Sequence, residues 1–265
     1  MIDIHSHILP KVDDGAEDIE MAIEMAKIYL ENGIKTVVAT PHYFERNIFT
    51  AKENTKKILE DLKIELDKEG IDIEILLGNE AYISMDLVKD IEEGYLSTLN
   101  GTRYLLVELP MLDIPLYVEN VIYELLLKGY VPIIAHPERN AKIIDNPNIL
   151  YNFIKKGALA QLNLPSLEGK YGEKIRETAE ILLNHNMIHF LGTDAHGSIR
   201  KSPRVSKALE ILKTVVSDDD FHSLTSNNPI LLLNDENIRI KEPIKYNAKK
   251  SFLSRLLPSK KAEGI

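Results

Sequence analysis

A distorted TIM-like (β/α)7 barrel, an α/β fold of parallel strands wrapped by outer helices, is the architecture this sequence predicts. Three observations predict it. Short apolar stretches of strand length alternate with amphipathic stretches of helix length along the chain, the pattern of parallel strands flanked by helices. The strand-like stretches number seven, one short of the common eight-fold barrel. Residue types that bind metal ions follow most of them, and closure is what would bring those strand ends to one mouth. An open doubly wound sheet is the alternative.

Taken in order, the chain opens with Met1-Ile2-Asp3-Ile4-His5-Ser6-His7. The alternation reads as a strand with Ile2 and Ile4 on one face and Asp3, His5 and His7 on the other. Residues 17–32 carry Ile19, Ala22, Ile23, Ala26 and Leu30 at helical spacing, with Gly33 as the stop. A strand is expected at 36–39, followed by a loop through Pro41-His42. A helix follows at 51–69, ended by Gly70, and a third strand at 73–77. Strand 104–107, helix 118–127 closed by Gly129, and strand 131–135 come next. Then come helix 150–156, strand 158–162, helix 174–184 and strand 188–191. Residues 205–216 and 219–223 read as helical. No linker interrupts the chain before residue 240, so one domain is expected over 1–240, with a tail at 241–265.

Composition narrows the function. The 265 residues are 44% hydrophobic, enough for a full core. There is no apolar run of membrane-spanning length and no basic-then-apolar leader, so a soluble, cytoplasmic protein is expected. Cysteine is absent, which excludes disulfides, thiolate-held zinc and a cysteine nucleophile. The net charge of −9 argues against a nucleic-acid partner. The tail carries seven basic residues (Lys241, Lys245, Lys249, Lys250, Arg255, Lys260, Lys261) against Glu242 and Glu263, so it is +5 while the rest is −14. A solvated end is the simpler reading of that tail. The alternative is a docking segment for an acidic partner or a weak contact with an anionic membrane surface, through Phe252, Leu253, Leu256 and Leu257.

The strand ends carry the chemistry. The first supplies His5 and His7, with Asp14 in the loop beyond. The second gives His42, the third Glu80, the fourth Glu108, the fifth His136, and the seventh Asp194 and His196. Any one of these would more often be a solvated carboxylate or a satisfied histidine. Together, at the C-terminal strand ends where barrels build their sites, they point to metal binding. Parity agrees: Leu76, Gly78 and Glu80 share a face, as do Tyr104, Leu106 and Glu108. Asp3 is expected deeper on the histidine face, orienting a histidine or filling the floor. His189 has the opposite parity to Asp194 and His196 and should face the helix layer. His185 and His222 read as surface or capping groups, Asp13 as loop, and Asp218 to Asp220 as a helix start.

The flanking residues add specificity. Thr-Pro-His at 40–42, His-Pro-Glu-Arg-Asn at 136–140 and Gly-Thr-Asp-Ala-His-Gly at 192–197 place Pro or Gly at the strand exits. Here the chain resembles the polymerase-and-histidinol-phosphatase (PHP) superfamily of metal-dependent phosphoesterases. The opening Met-Ile-Asp-Ile-His-Ser-His-Ile-Leu-Pro-Lys-Val-Asp-Asp-Gly-Ala, Gly-Asn-Glu at 78–80, Val-Glu-Leu-Pro at 107–110 and Ala-His-Pro-Glu-Arg-Asn at 135–140 resemble one branch of it. That branch is the bacterial manganese-dependent protein-tyrosine phosphatases of capsule and exopolysaccharide operons. The likeness runs from Met1 to about Pro229.

The resemblance implies three divalent metal ions. His5, His7, Glu80 and Asp194 would bind the first; Glu80, Glu108 and His136 the second; Asp14, His42 and His196 the third. Arg139 matches an arginine of the family that contacts phosphate, a role that suits a bidentate guanidinium better than pairing with Glu138 does. Arg200 and Arg204 follow His196 and are further candidates for substrate binding. Four carboxylates contribute −4 and three divalent ions +6, so the pocket would be near +2 and attract a phosphomonoester dianion. Mixed imidazole and carboxylate ligands without thiolate suit Mn²⁺, Fe²⁺ or Zn²⁺, and of these the resemblance implies Mn²⁺. A metal-bridged hydroxide would attack phosphorus in line while Arg139 helps neutralise the equatorial oxygens.

The activity so implied is hydrolysis of phosphotyrosine in the tail of a bacterial tyrosine kinase that controls polysaccharide synthesis. A phenol has a pKa of about 10, so a phenolate leaves with less proton assistance than a serine alkoxide; no general acid stands out beyond the cluster, where a metal-bound water could supply the proton. A small-molecule phosphatase acting on histidinol phosphate is the competing reading. An amidohydrolase would use the same His-x-His opening, but that family commonly places a modified lysine after the fourth strand, where this chain has Glu108. A non-enzymatic, metal-bound regulatory module would need a degenerate ligand position, and none is present.

Overall fold

The structure is a computed structural model that describes residues 1–44, 47 and 50–247. The chain runs β1 (Ile2–Ser6), α1 (Ile19–Glu31), β2 (Thr36–Ala39), β3 (His42–Tyr43), α2 (Lys52–Lys68), β4 (Glu74–Leu77) and β5 (Glu80–Tyr82). It continues through α3 (Leu87–Glu92), β6 (Tyr104–Glu108), α4 (Val118–Leu127), β7 (Val131–Ala135), α5 (Ala141–Asp145) and α6 (Asn148–Lys155). Then follow β8 (Leu159–Asn163), α7 (Leu164–Leu167), α8 (Glu173–Asn184), β9 (Phe190–Gly192), α9 (Ser206–Val215), α10 (Asp218–His222) and α11 (Asn228–Leu233).

Every strand pairing is parallel. The sheets run β1-β2-β4 and β3-β5-β6-β7-β8-β9, and the two are halves of one surface. Pro41 interrupts the second strand and Gly78-Asn79 the third, yet Gly78 N donates to Ala39 O at 2.8 Å and Glu80 N to Pro41 O at 3.1 Å. The expected second and third strands are therefore each broken in two, because proline cannot donate to a ladder. On the far side, Ser6 bridges Ala195, His7 N donates to Ala195 O and Asp194 N to His5 O, each at 2.9 Å. These bonds join β1 to the segment after β9 and close the seven-strand ring.

Two apolar layers support it. The larger lies between the strands and the helices, with Met25, Tyr29, Leu62, Ile75, Leu105, Leu125, Phe153 and Leu182 fully buried or nearly so. The smaller fills the barrel, where Ile4, Val38, Leu106, Ile133 and Phe190 are completely buried. Ile4 belongs to that inner layer, which corrects the strict alternation expected of the first strand. The register shifts between Asp3 and Ser6, and such a bulge redirects side chains. Asp3 is correspondingly turned outward. Its Oδ2 lies 3.0 Å from the Tyr29 hydroxyl of α1, and its Oδ1 accepts from His5 N and Thr193 N, each at 3.1 Å. Asp3 thus pins the first strand to α1 and to the turn after β9. Parity holds elsewhere: Tyr104 and Leu106 join the inner layer, with Leu76 packed against it.

His189 faces the outer layer, as its parity requires. It is almost fully buried, its Nδ1 accepts from Ala160 N at 3.1 Å, and burial pulls its pKa down to about 4. An unfolded chain would protonate this ring near pH 6.5, whereas the folded one resists until about 4. Stability from His189 is therefore present above about pH 6.5 and lost as pH falls toward 4. Between about pH 7 and about pH 5 the wild type should lose about 2 kcal/mol more than His189→Gln, from the difference in proton affinity. Urea midpoints at the two pH values measure this, and equal losses would contradict it.

Candidate metal centre

The nine expected ligands come from six strands and the segments that follow them and meet at one end of the barrel. His5 stands on β1, His42 opens β3, Glu80 opens β5 and Glu108 ends β6. His7 and Asp14 follow β1, His136 follows β7, and Asp194 and His196 follow β9. Three groups have ligand atoms all within 4.8 Å of one another: His5, His7, Glu80 and Asp194; His7, Asp14, His42 and His196; and His42, Glu80 and Glu108. His136 lies at the edge of the third, its Nε2 2.9 Å from Glu80 Oε1 and 3.9 Å from Glu108 Oε1. Glu80 is shared between groups, fully buried, with Oε2 3.2 Å from His5 Nε2, 3.3 Å from His7 Nε2 and 3.0 Å from His42 Nδ1.

Side chains behind the ligands fix which nitrogen faces inward. His5 Nδ1 lies 2.9 Å from Gln161 Oε1, His7 Nδ1 2.8 Å from Asp13 Oδ2, and His196 Nδ1 2.8 Å from the Asp194 carbonyl. Each partner is an acceptor, so each ring directs an Nδ1 proton to it and turns Nε2 to the centre, where the nitrogen is free to bind an ion once it carries no proton. His5 Nε2 and His7 Nε2 are then only 3.3 Å apart, a repulsive arrangement unless a cation or proton lies near both. Glu80 Oε2 and His42 Nδ1, 3.0 Å apart, are buried without making a hydrogen bond to each other or to any other group. Such orphaned atoms are costly in a native interior, and at the meeting point of these rings they suit a cation. The residues fit divalent metal.

The backbone is strained at the same place. His136 (φ 32°) and Asp194 (φ 52°) both adopt left-handed conformations, which cost non-glycine residues about 1–3 kcal/mol each and gather at functional sites. Asn140 holds the turn after His136. Its side-chain oxygen caps α5 through Lys142 N and Ile143 N, and its amide donates to Pro110 O and Asp113 O.

Burial opposes protonation of His5, but the carboxylates of Glu80 and Asp194 overcome it and hold the ring up to about 9. Burial would raise Asp13, and the His7 ring beside it instead holds it down to about 2. Burial, reinforced by Glu80, raises Glu108. Burial and the neighbouring His7 lower His196 to about 4.

Arg139 Nη1 donates to Asp194 Oδ2 at 2.7 Å, and its guanidinium lies 4.8 Å above the Tyr171 ring. Its partner is Asp194; Glu138 instead accepts from Ser166 Oγ and Asn163 N. Arg200 lines a cavity together with Asp14 and His196. Arg204 points elsewhere and pairs with Glu31 at the end of α1, 3.5 Å away.

Three contributors were not anticipated. Gln161 bridges His5 to Asn163, whose amide donates to Asp194 Oδ2 at 2.8 Å, so one amide pair orients two ligands. Their signal in sequence is a pair of amides at i and i+2 within an apolar strand. Asp13, expected as plain loop, is the group that orients His7 and also accepts from His42 N. His185 caps α8 through its own Nδ1 at Ile181 O.

Known proteins are similar to this chain in sequence and in fold. The chain is 38% identical over 234 residues to the tyrosine-protein phosphatase YwqE of Bacillus subtilis, covering 88% of this chain and 92% of that one. It is 34% identical over 255 residues to the CapC protein of Staphylococcus aureus, covering 95% and 99%. A solved structure from work on YwqE of Bacillus subtilis and CpsB of Streptococcus pneumoniae, described as unique metal-dependent tyrosine phosphatases, superposes with a TM-score of 0.89. It is 37% identical and covers 93% of this chain and all of its own. The model of the capsular polysaccharide synthesis family CpsB/CapC matches residues 1–234. With a matching barrel, the chain belongs to the CpsB/CapC family of capsular polysaccharide synthesis proteins.

Proposed function

We propose that this chain is a metal-dependent protein-tyrosine phosphatase acting on phosphotyrosine of a bacterial tyrosine kinase that controls capsule synthesis. The observation that carries the reading is the convergence of imidazoles and carboxylates on Glu80, in a chain similar over nearly its whole length to tyrosine phosphatases. His5, His7, Glu80 and Asp194 would hold one ion, Glu80, Glu108 and His136 a second, and Asp14, His42 and His196 a third. The ions would be Mn²⁺, with Fe²⁺ or Zn²⁺ as alternatives. Bound there, divalent ions supply Lewis acidity and lower the pKa of water so that it can attack phosphorus.

The chain's own groups do the rest. One Arg139 N–H is taken by Asp194, and the fork retains further donors for phosphoryl oxygens. Arg200 adds positive charge at the rim. Gln161, Asn163 and Asp13 keep the rings aimed. A phenolate with a pKa of about 10 leaves without a dedicated acid.

A panel of a phosphotyrosine peptide, a phosphoserine peptide and histidinol phosphate, offered to the Mn²⁺-loaded protein, tests the reading. The phosphotyrosine peptide should show the highest kcat/KM, by at least about tenfold. A preference for histidinol phosphate would overturn it.

We assign residues 1–240 to the phosphatase domain and 241–265 to a basic tail, a solvated end or else a docking segment for an acidic partner or an anionic membrane surface, in a protein of the cytoplasm. No helix among the described residues is long and apolar enough to cross a membrane. Residues 241–247 lie against the barrel, with Ile244 N donating to His185 O and Tyr246 N to Asn148 Oδ1. The remaining tail residues, including Lys249, Lys250, Phe252, Leu253, Arg255, Leu256, Leu257, Lys260 and Lys261, lie outside the described residues. Deleting residues 248–265 should leave p-nitrophenyl phosphate turnover within about twofold and weaken action on the phosphorylated kinase, since rim charge acts mainly on encounter. Equal loss on both substrates would make the tail part of the fold.

A further inference from the structure

We propose that Phe44 and Tyr82 form an aromatic subsite that receives the leaving-group ring of the phosphoester and so selects aryl over alkyl phosphates; this rests on the phosphatase reading above. The ladder places both residues. His42 on β3 pairs with Glu80 on β5, and residues two positions further along parallel strands share the same face one layer higher. Those residues are Phe44 and Tyr82. Their ring centroids are 5.0 Å apart at 33°, and the Phe44 ring lies 5.7 Å from that of His42. On its other side Tyr82 pairs with Glu108 in the β5–β6 ladder. The layer above His42 and Glu80, level with Glu108, is therefore aromatic on this arc.

Folding does not account for these rings. Phe44 is 44% exposed and Met85 beside it 70%, and together with Tyr82 and Tyr117 they line an open cavity of about 450 Å³. A contiguous exposed apolar wall next to a polar centre marks a binding surface. The facing arc differs in chemistry, since Arg139 and its partner Asp194 stand there. A phosphomonoester whose dianion is held between the ligands and Arg139 points its ester oxygen away from Arg139. Phe44 and Tyr82 offer the next surface on that side. An aryl group would cover Phe44 and stack on it, with offset or edge geometry favoured. A methyl or seryl group would leave the ring in water.

Calorimetric titration of the full-length, Mn²⁺-loaded protein with phenylphosphonate and methylphosphonate isolates the ring, because the two share a head group and neither is hydrolysed. Wild type should bind the phenyl compound more tightly. Phe44→Ala should weaken phenylphosphonate about five- to tenfold, as expected for a lost aromatic contact, and leave methylphosphonate within about twofold. Phe44→Tyr should keep the preference. Phe44→Leu, which retains the bulk against His42, should lose it and guards against a packing defect in the alanine variant; metal content by atomic emission should match wild type in both. Equal weakening of the two phosphonates, no preference in the wild type, or unchanged phenyl binding in Phe44→Leu would each overturn the subsite. Failure of the phosphatase reading would appear separately, as a wild-type protein that turns over no phosphotyrosine peptide.

Discussion

Replacing Glu80 with Gln is expected to lower phosphatase turnover by at least about a thousandfold, because groups that act as one unit fail together. The barrel should remain folded. Glu80 is completely buried, and its two oxygens lie 2.9 to 3.3 Å from ring nitrogens of His5, His7, His42 and His136. The amide matches the carboxylate in shape but not in charge. It places an NH₂ where a second lone-pair oxygen faces those nitrogens. Two of the three ligand groups share this residue, so metal content should fall with turnover. Circular dichroism should stay at the wild-type signal, since no apolar contact is removed. Wild-type turnover at wild-type metal content would refute the role of Glu80.

Chelation by EDTA should abolish activity, and Mn²⁺ should restore it. The stripped protein should also unfold several degrees lower, since a ligand bound only by the folded state stabilises it by mass action. The proton inventory gives a second readout. Burial disfavours a charged His5, yet Glu80 and Asp194 hold the ion-free ring up to about 9. At neutral pH that ring is protonated and must lose its proton to become a ligand. Mn²⁺ uptake should therefore release protons, and the apparent affinity should fall as pH is lowered below about 9. Titration in two buffers of different ionisation enthalpy measures the release. Activity that resists the chelator, or uptake without proton release, would contradict the picture.

Much of this was legible in the sequence, and the parts that were not have identifiable causes. The helix at Val118–Leu127 and the strand at Val131–Ala135 have the expected bounds, since apolar spacing and a closing glycine define both. All nine expected ligands lie together because strand ends in a parallel barrel share one mouth. The broken second and third strands were hidden, because Pro41 and Gly78 read as loop punctuation while the ladder continues across them. The bulge in β1 was hidden too: nothing in Asp3-Ile4-His5 announces a register shift, so Ile4 and Asp3 were placed on the wrong faces. Gln161 and Asn163 carry no charge and resemble no ligand, and their role emerges only from their distances to His5 and Asp194. Asp13 and Asp14 are adjacent carboxylates, and only geometry tells the one that orients His7 from the one that approaches His42 and His196.

Anomalous diffraction at the manganese edge, from crystals grown with Mn²⁺, tests the central claim most directly. The account predicts three peaks within bonding distance of the nine side chains, two of them flanking Glu80 and the third beside Asp14, His42 and His196. Manganese bound only elsewhere on the surface, or a barrel mouth without a peak, would contradict it.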